Sequence, residues 1–213
     1  ERTISFDPPK PELKLIGSGS ILPSTDDLFL PFEAIGLNSV QVDVIKVHQD
    51  NLPQFFQVNE VDGEEQTRRV GKRVYSGNVD LLSQQGNPDE WMRYTLDLSD
   101  LFEKEKGALY RVVLSMRPEN SAFDCVEAAE SRTSSSDNAW SIYDDDGFNT
   151  YGNYFSYYYP QGYNWSERDN PCHVSYYTNN RSVSTNLLAS DIGLIAKIGA
   201  DNKVFLFTTG LTT

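Results

Sequence analysis

The first half of the chain alternates apolar and polar residues in short runs, which is the pattern of half-buried β-strands. The clearest case is 28–47, where two such runs flank the turn-forming residues 35–39. Gly36 and Asn38 in this turn tolerate the positive φ that a tight hairpin turn requires. The pattern therefore predicts a β-hairpin over 28–47. We expect a β-bulge near Val44, because the apolar residues change face there.

Similar runs recur along the rest of the chain. One or two helical turns are expected at 51–58, and no stretch has the periodicity of a 12-residue amphipathic helix. About seven short strands with little helix predict an all-β protein, an antiparallel β-sandwich. The further predicted strands lie at 13–16, at 70–75 on a sheet edge, at 92–98 and 108–116 with hairpin-like spacing, at 183–198 as one long strand that Gly193 could kink, and at 204–208.

The segment 119–182 has a different character. Nine of the twelve tyrosines and two of the three tryptophans lie between 140 and 177, and no apolar periodicity survives there. Connections this long are usually functional or disordered. The sequence therefore predicts a long irregular aromatic-rich insertion between the last two strands of the sandwich.

The charge distribution bears on partners. The net charge is −13, and residues 118–182 alone carry ten acids against three bases. Such an acidic surface argues against nucleic acid or an anionic membrane as partner. No apolar run approaches the 18 residues or so that a membrane-spanning helix needs.

The two cysteines, Cys125 and Cys172, lie 47 positions apart within the unusual segment. The sequence favours a disulfide that closes this segment over two unrelated buried thiols, and a disulfide fits an oxidising compartment. Metal binding by these cysteines with His48 and His173 is not favoured, because no C-x-x-C or H-x-x-x-H spacing occurs.

No set of residues predicts catalysis. Cys172 and His173 are adjacent, so in a strand they would point to opposite faces and could not act as nucleophile and base. Asp144, Asp146 and Asn149 form a weak Ca²⁺ candidate, since clustered oxygen ligands suit a hard cation. The spacing of a calcium-binding loop is missing, so the sequence favours a solvated acidic turn. We therefore predict no enzyme activity, no cofactor and no metal.

The aromatic cluster leaves two interpretations open. Aromatic residues with Gly and Asn can form an adaptable contact surface, for which Tyr157, Tyr158, Tyr159 and Trp165 are the candidates. The interpretation that the sequence favours is that the cluster covers one face of the sandwich as a small core of its own.

Four stretches carry a family resemblance: GSGSILP at 17–23, LPFEAIGLNSVQVDVIKV from Leu30, GALYRVVL at 107–114 and WSERDNPCHVSYYTNNRSVSTNLLASDIGLIAK at 165–197. They resemble the macroglobulin-like domains of bacterial α2-macroglobulins, most closely a form typical of Bacteroides-type bacteria. The resemblance covers most of the chain and is weakest between 59 and 90. SDIGL at 190–194 looks like the family strand that leads into the next macroglobulin-like domain.

The resemblance implies a macroglobulin-like β-sandwich over 12–198, after an extended lead-in at 1–11. Residues 199–213 would be the truncated first strand of the next domain. It also implies a multi-domain protease inhibitor, extracytoplasmic and lipid-anchored in the parent, in which this segment is structural and contacts neighbouring macroglobulin-like domains. Target proteases would be bound by the full-length protein. Cys125-Val126-Glu127-Ala128 lacks the Gln of a thioester motif, so no thioester is expected here. The alternative functions are a surface glycan-binding module and an adhesin-type β-sandwich.

Overall fold

A computed structural model gives the fold of this chain. It describes residues 9–17, 21–22, 28–84, 87–123, 125, 163–177, 182–200 and 202–211. The calcium candidates Asp144, Asp146 and Asn149 lie outside the described residues, as do Tyr157, Tyr158 and Tyr159.

Short strands and two single-turn helices make up the regular structure. The strands, numbered in chain order over the described residues, are β1 (Glu12–Leu15), β2 (Ile21–Leu22), β3 (Phe29–Ile35), β4 (Ser39–Val47), β5 (Gly71–Asp80), β6 (Met92–Asp97), β7 (Leu109–Ser115), β8 (Ser182–Ala189), β9 (Ile192–Ile198) and β10 (Val204–Gly210). The helices are α1 (Leu52–Phe55) and α2 (Thr67–Val70).

Two sheets pack face to face as a β-sandwich. The three-stranded sheet has the order β1-β3-β6, and the five-stranded sheet has the order β2-β8-β7-β4-β5. All neighbours are antiparallel except β2 and β8, which form a short parallel pair. Fully buried side chains from both sheets meet in one core, among them Phe32 and Tyr110. A smaller cluster covers the outer face of the five-stranded sheet, where Val47 and Leu109 pack against Phe55 and Val70.

The predicted hairpin over 28–47 is wrong, because β3 and β4 belong to different sheets. The intervening turn passes from one sheet to the other instead of joining neighbouring strands, so the inner faces of β3 and β4 are opposed. Gly36 has φ of 69°, and a Cβ there would lie 2.9 Å from Pro9 O. The same correction applies to β6 and β7, whose spacing is hairpin-like but which also lie in different sheets.

Several other predictions are confirmed. The ladder between β4 and β5 shifts register between Val44 and Ile45, where the bulge was expected. β5 is an edge strand of the five-stranded sheet and extends further than the predicted run. Pro53 lies in the first turn of α1, where its missing N–H costs no hydrogen bond.

The single long strand predicted at 183–198 is wrong. β8 ends at Ala189 inside the five-stranded sheet, whereas within the described residues β9 pairs only with β10. Ser190 explains the break, because its N–H donates to Leu22 O at 3.1 Å and its hydroxyl oxygen accepts from the N–H of Ile192 at 3.1 Å. Gly193 lies within β9 and does not mark the break.

Part of the aromatic segment packs into the main core. Tyr176 and Tyr177 are each 3% exposed and belong to the core cluster. The hydroxyl of Tyr176 donates to Pro11 O at 2.8 Å, which ties this segment to the chain just before β1. The structure also joins Cys125 to Cys172, with 5.5 Å between their Cα atoms.

Candidate interdomain joint

Several features that do not contribute to the core of the sandwich lie at one of its ends. The pairings Leu15 with Phe32 and Phe29 with Asp97 bring the end of β1, the start of β3 and the end of β6 to that end. In the other sheet, β4, β7 and β8 present Val47, Leu109 and Leu188 there. The chain leaves the sandwich at this end, through Ser190, to form the β9–β10 hairpin. We call it the hairpin end.

The β9–β10 hairpin exposes apolar side chains on both faces. Residues directly opposite in an antiparallel pair share a face, and the register pairs Val204 with Ile198 and Phe207 with Ile195. The aliphatic face carries Ile192, Leu194, Ala196, Ile198, Val204 and Leu206, with Thr208 and Gly210 near the base. The aromatic face carries Ile195, Phe205, Phe207 and Lys197, with Gly193 and Thr209 near the base.

The exposure of these side chains is unusual for a finished protein surface. On the aliphatic face the large residues are 59% to 76% exposed, and on the aromatic face they are 48% to 54% exposed. No residue of β9 or β10 belongs to either core cluster of the described chain. An isolated two-stranded hairpin is marginally stable in water, and contiguous exposed apolar patches mark interaction sites. The hairpin therefore has the character of an element that awaits further packing partners.

The base of the hairpin is fastened to the sandwich. The N–H of Leu211 donates to Asp191 O at 2.8 Å, which closes the hairpin at its base. The side chain of Asp191 accepts from Lys106 Nζ at 3.2 Å. The N–H of Gly107, next in the chain, donates to Ala189 O at 2.8 Å. The loop before β7 thus holds both the last residue of the sandwich and the first residue of the hairpin arm.

A charged cluster stiffens the same loop. The Glu105 carboxylate forms an ion pair with Lys46 and lies 2.7 Å from His48 Nε2. The N–H of Glu105 donates to the hydroxyl of Tyr110, which in turn donates to Glu103 O at 3.1 Å. The hydrogen bond to Glu105 raises the pKa of Lys46, and the same hydrogen bond lowers the pKa of Glu105. Both groups are therefore charged at neutral pH, so the loop is held by an ion pair.

An apolar groove of about 190 Å³ opens at the hairpin end, between the two sheets. The groove is lined by the ends of β1 and β6, by the start of β3, and by the strands β2 and β8. Leu22 in this lining is the residue whose carbonyl accepts from Ser190, so the groove lies beside the exit of the chain. The lining residues are Leu15, Ile16, Gly17, Ile21, Leu22, Leu28, Phe29, Leu30, Pro31, Leu98, Thr185 and Leu187.

Trp165 is the one sequence-predicted contact residue that falls within the described part of the chain. It is 63% exposed, and the Arg168 guanidinium lies 4.4 Å from the centre of its ring. A short 3-10 turn over Trp165–Glu167 presents it, capped by the Asn164 side chain, which accepts from the N–H of Ser166. Trp165 is not part of the hairpin end by any contact that the structure gives.

The histidines and cysteines take structural roles. His173 Nδ1 accepts from the N–H of Ser175 at 3.1 Å, and its neighbour Cys172 is joined to Cys125. Among the described residues, no three His, Cys, Asp or Glu side chains cluster as a metal site would require. None of the described helices is long and apolar enough to cross a membrane.

Sequence reasoning missed the hairpin as a candidate site. The signal was present, because apolar residues in 192–198 and 204–207 occupy both parities, so neither face is left polar. A strand with one solvated face alternates apolar and polar residues instead, and β7, which does not alternate, has both of its faces covered.

Comparison with known families decides the class of this chain. A sequence model of the bacterial alpha-2 macroglobulin MG2 domain matches residues 14–122, just over half of the 213 residues. The chain belongs to the bacterial alpha-2-macroglobulin family. The matched range begins in β1, ends beyond β7 and includes most strands of the macroglobulin-like sandwich.

Solved structures agree on the fold. Native alpha-2-macroglobulin from Escherichia coli, spanning domains MG0-NIE-MG1, matches 99% of this chain at 20% identity and a TM-score of 0.51. A second structure of that protein, spanning NIE-MG1, matches 95% of this chain at 18% identity and a TM-score of 0.50. The chain covers 48% of the first structure and 70% of the second. No curated protein sequence matches the chain. The predicted all-β macroglobulin-like sandwich is confirmed, and this chain is a structural domain of an alpha-2-macroglobulin-type protein.

Proposed function

We propose that this chain is a non-catalytic domain of a bacterial protease trap, and that its task is to hold the next domain at the hairpin end. The observation that carries the proposal is the β9–β10 hairpin, with large apolar side chains about half or more exposed on both faces. A catalytic role would require a polar constellation, whereas the hairpin end combines an apolar arm with a fastened base. That combination suits a joint between domains.

The proposal moves the expected boundary between domains. The sequence placed it after residue 198, but among the described strands β9 pairs with β10 and with no strand of the sandwich. We therefore assign residues 12–190 to the macroglobulin-like sandwich, with its insertion, and residues from 191 onward to the next domain. Residues 1–11 remain the lead-in.

The setting of the proposed protein is extracytoplasmic, either periplasmic or at the cell surface with a lipid anchor. The link between Cys125 and Cys172 supports this proposal, since disulfides persist in oxidising compartments. Neighbouring macroglobulin-like domains of the same polypeptide are the proposed direct partners, and target proteases meet the full-length protein. The Bacteroides-type assignment stays a prediction.

Protease assays test the proposed role. We expect the 213-residue chain alone neither to slow the hydrolysis of casein by trypsin nor to cleave casein itself. We expect the full-length protein to retain trypsin after one of its own bonds is cut. Inhibition or cleavage by the 213-residue chain alone would contradict a purely structural role, and a full-length protein that never retains a protease would contradict the trap.

A glycan-binding role is the second candidate, and it rests on the exposure of Trp165. Arg168 stacks over this ring, so it competes with a sugar for that face of the indole. Retention of the chain on immobilised polysaccharide, lost on Trp165→Ala, would favour this second role over the joint.

A further inference from the structure

We infer that the apolar groove at the hairpin end is a socket for one apolar side chain of the domain that begins with β9 and β10. This inference rests on the proposed function, since it requires that a folded domain follows the sandwich. It adds a second contact to the joint, separate from the hairpin itself.

The size of the groove selects the kind of occupant. Its volume of about 190 Å³ is below the 300–1,000 Å³ that is usual for small-molecule sites. An apolar cavity of about 150 Å³ lined by Leu, Ile and Phe is known to hold benzene. The groove therefore fits one aromatic or branched aliphatic side chain.

The chemistry of the lining leads to the same occupant. Eleven of the twelve lining residues are aliphatic, aromatic, proline or glycine, and only Thr185 carries a polar side chain. A small polar ligand would need several convergent polar groups to orient it. The side chains of the lining are almost all apolar, and the polar part of its surface comes mainly from the backbone, so the groove suits an apolar anchor residue of a protein interface.

The path of the chain supplies the link to the next domain. Leu22 lines the groove, and its carbonyl accepts from the N–H of Ser190, one residue before the hairpin arm begins. A domain built on that arm is tethered next to the groove, so its effective concentration there is high. Two large apolar residues of the lining, Ile21 at 36% and Phe29 at 56% exposed, extend the apolar surface out of the groove.

Hydrogen exchange distinguishes the two contacts. The N–H of Ile16 donates to Pro31 O at 3.1 Å within the groove lining, so peptides that contain Ile16 report on the socket. Peptides from β9 and β10 report on the hairpin. Exchange is measured by mass spectrometry in the 213-residue chain and in the full-length protein, for the unmodified sequence, for Phe29→Lys and for Val74→Lys. Val74 is a matched control, because it is 38% exposed on the edge strand β5, outside the groove lining.

We expect exchange at both reporters to be about tenfold slower in the full-length protein. Phe29→Lys should abolish the slowing at Ile16 and leave the slowing in the hairpin, whereas Val74→Lys should change neither. Slowing in the hairpin without slowing at Ile16 would overturn the socket and leave the joint standing. Slowing at Ile16 that survives Phe29→Lys would also overturn the socket. If exchange slows neither at Ile16 nor in the hairpin, both the proposed joint and the proposed socket are contradicted.

Discussion

The exposed hairpin makes a quantitative prediction about how much stability the polypeptide after the hairpin adds to it. Leu206 lies in the middle of the aliphatic face and is 65% exposed. Complete burial of a leucine is worth roughly 1.5–3 kcal/mol. Docking into the next domain should therefore bury the exposed part for about 1–2 kcal/mol. Leu206→Ser should therefore cost about 1–2 kcal/mol more when the next domain is present than in the 213-residue chain.

The assay is urea unfolding followed by far-UV circular dichroism, on the 213-residue chain and on the polypeptide that continues through the following domain. Leu82→Ser is the control, because Leu82 is 50% exposed and lies just beyond β5, at the end of the sandwich away from the hairpin. It should have the same small effect in both proteins. Equal effects of Leu206→Ser in the short and the extended protein would refute the claim that the aliphatic face is buried by the next domain.

Three further predictions concern the sandwich itself. Labelling of the denatured, unreduced chain should find no free thiol, and Cys125→Ser should cost about 2–4 kcal/mol of unfolding free energy if the bridge constrains the unfolded chain. Glu105 has a folded pKa below its ordinary 4.5, so its contribution to stability is present above pH 4.5 and is lost as the pH falls through the folded pKa. Glu105→Gln should remove that part of the loss of stability at acid pH. An unchanged dependence of the unfolding free energy on pH below 4.5 would contradict this role of Glu105. Arg111→Met should cost about 2–3 kcal/mol, because Arg111 is 4% exposed and donates to Asn186 and Ser184; a loss below 0.5 kcal/mol would contradict a structural role for this network.

The strand positions could be predicted because alternation reports directly on burial. Met92, Tyr94 and Leu96 share a face in the sequence pattern, and β6 shows the same alternation of burial. A register shift does occur near Val44, where the apolar parity changes, but its extra residue, Val74, lies in β5, and β4 pairs with β7 without interruption. The parity change instead reflects the packing of Val47 in the smaller cluster on the outer face of the sheet. The strand positions depend only on neighbours along the chain.

The partners of each strand could not be predicted in the same way. Alternation shows that β3 and β4 each bury one face, but a hairpin and a connection between opposed sheets satisfy that condition equally. What decides between them is the fit of Phe32 against the other sheet and the tight passage of Gly36 under Pro9 and Pro11, and both are long-range contacts. The burial of Tyr176 and Tyr177 in the core could not be predicted for a similar reason, because 176–177 has no periodic neighbours.

The break at Ser190 divides two kinds of β-structure that the sequence pattern had merged. In β8, Leu187 and Ala189 are buried in the core that the sandwich completes by itself. In β9, Ile192 and Leu194 lie on the opposite parity and are each 59% exposed. Apolar residues at alternate positions thus correspond to a closed core on one side of Ser190 and to exposed side chains on the other. Since the hydrophobic effect favours covering such faces, the exposure of β9 is the reason for the proposal that a further domain packs on the hairpin, with Asp191, paired with Lys106, at the proposed boundary.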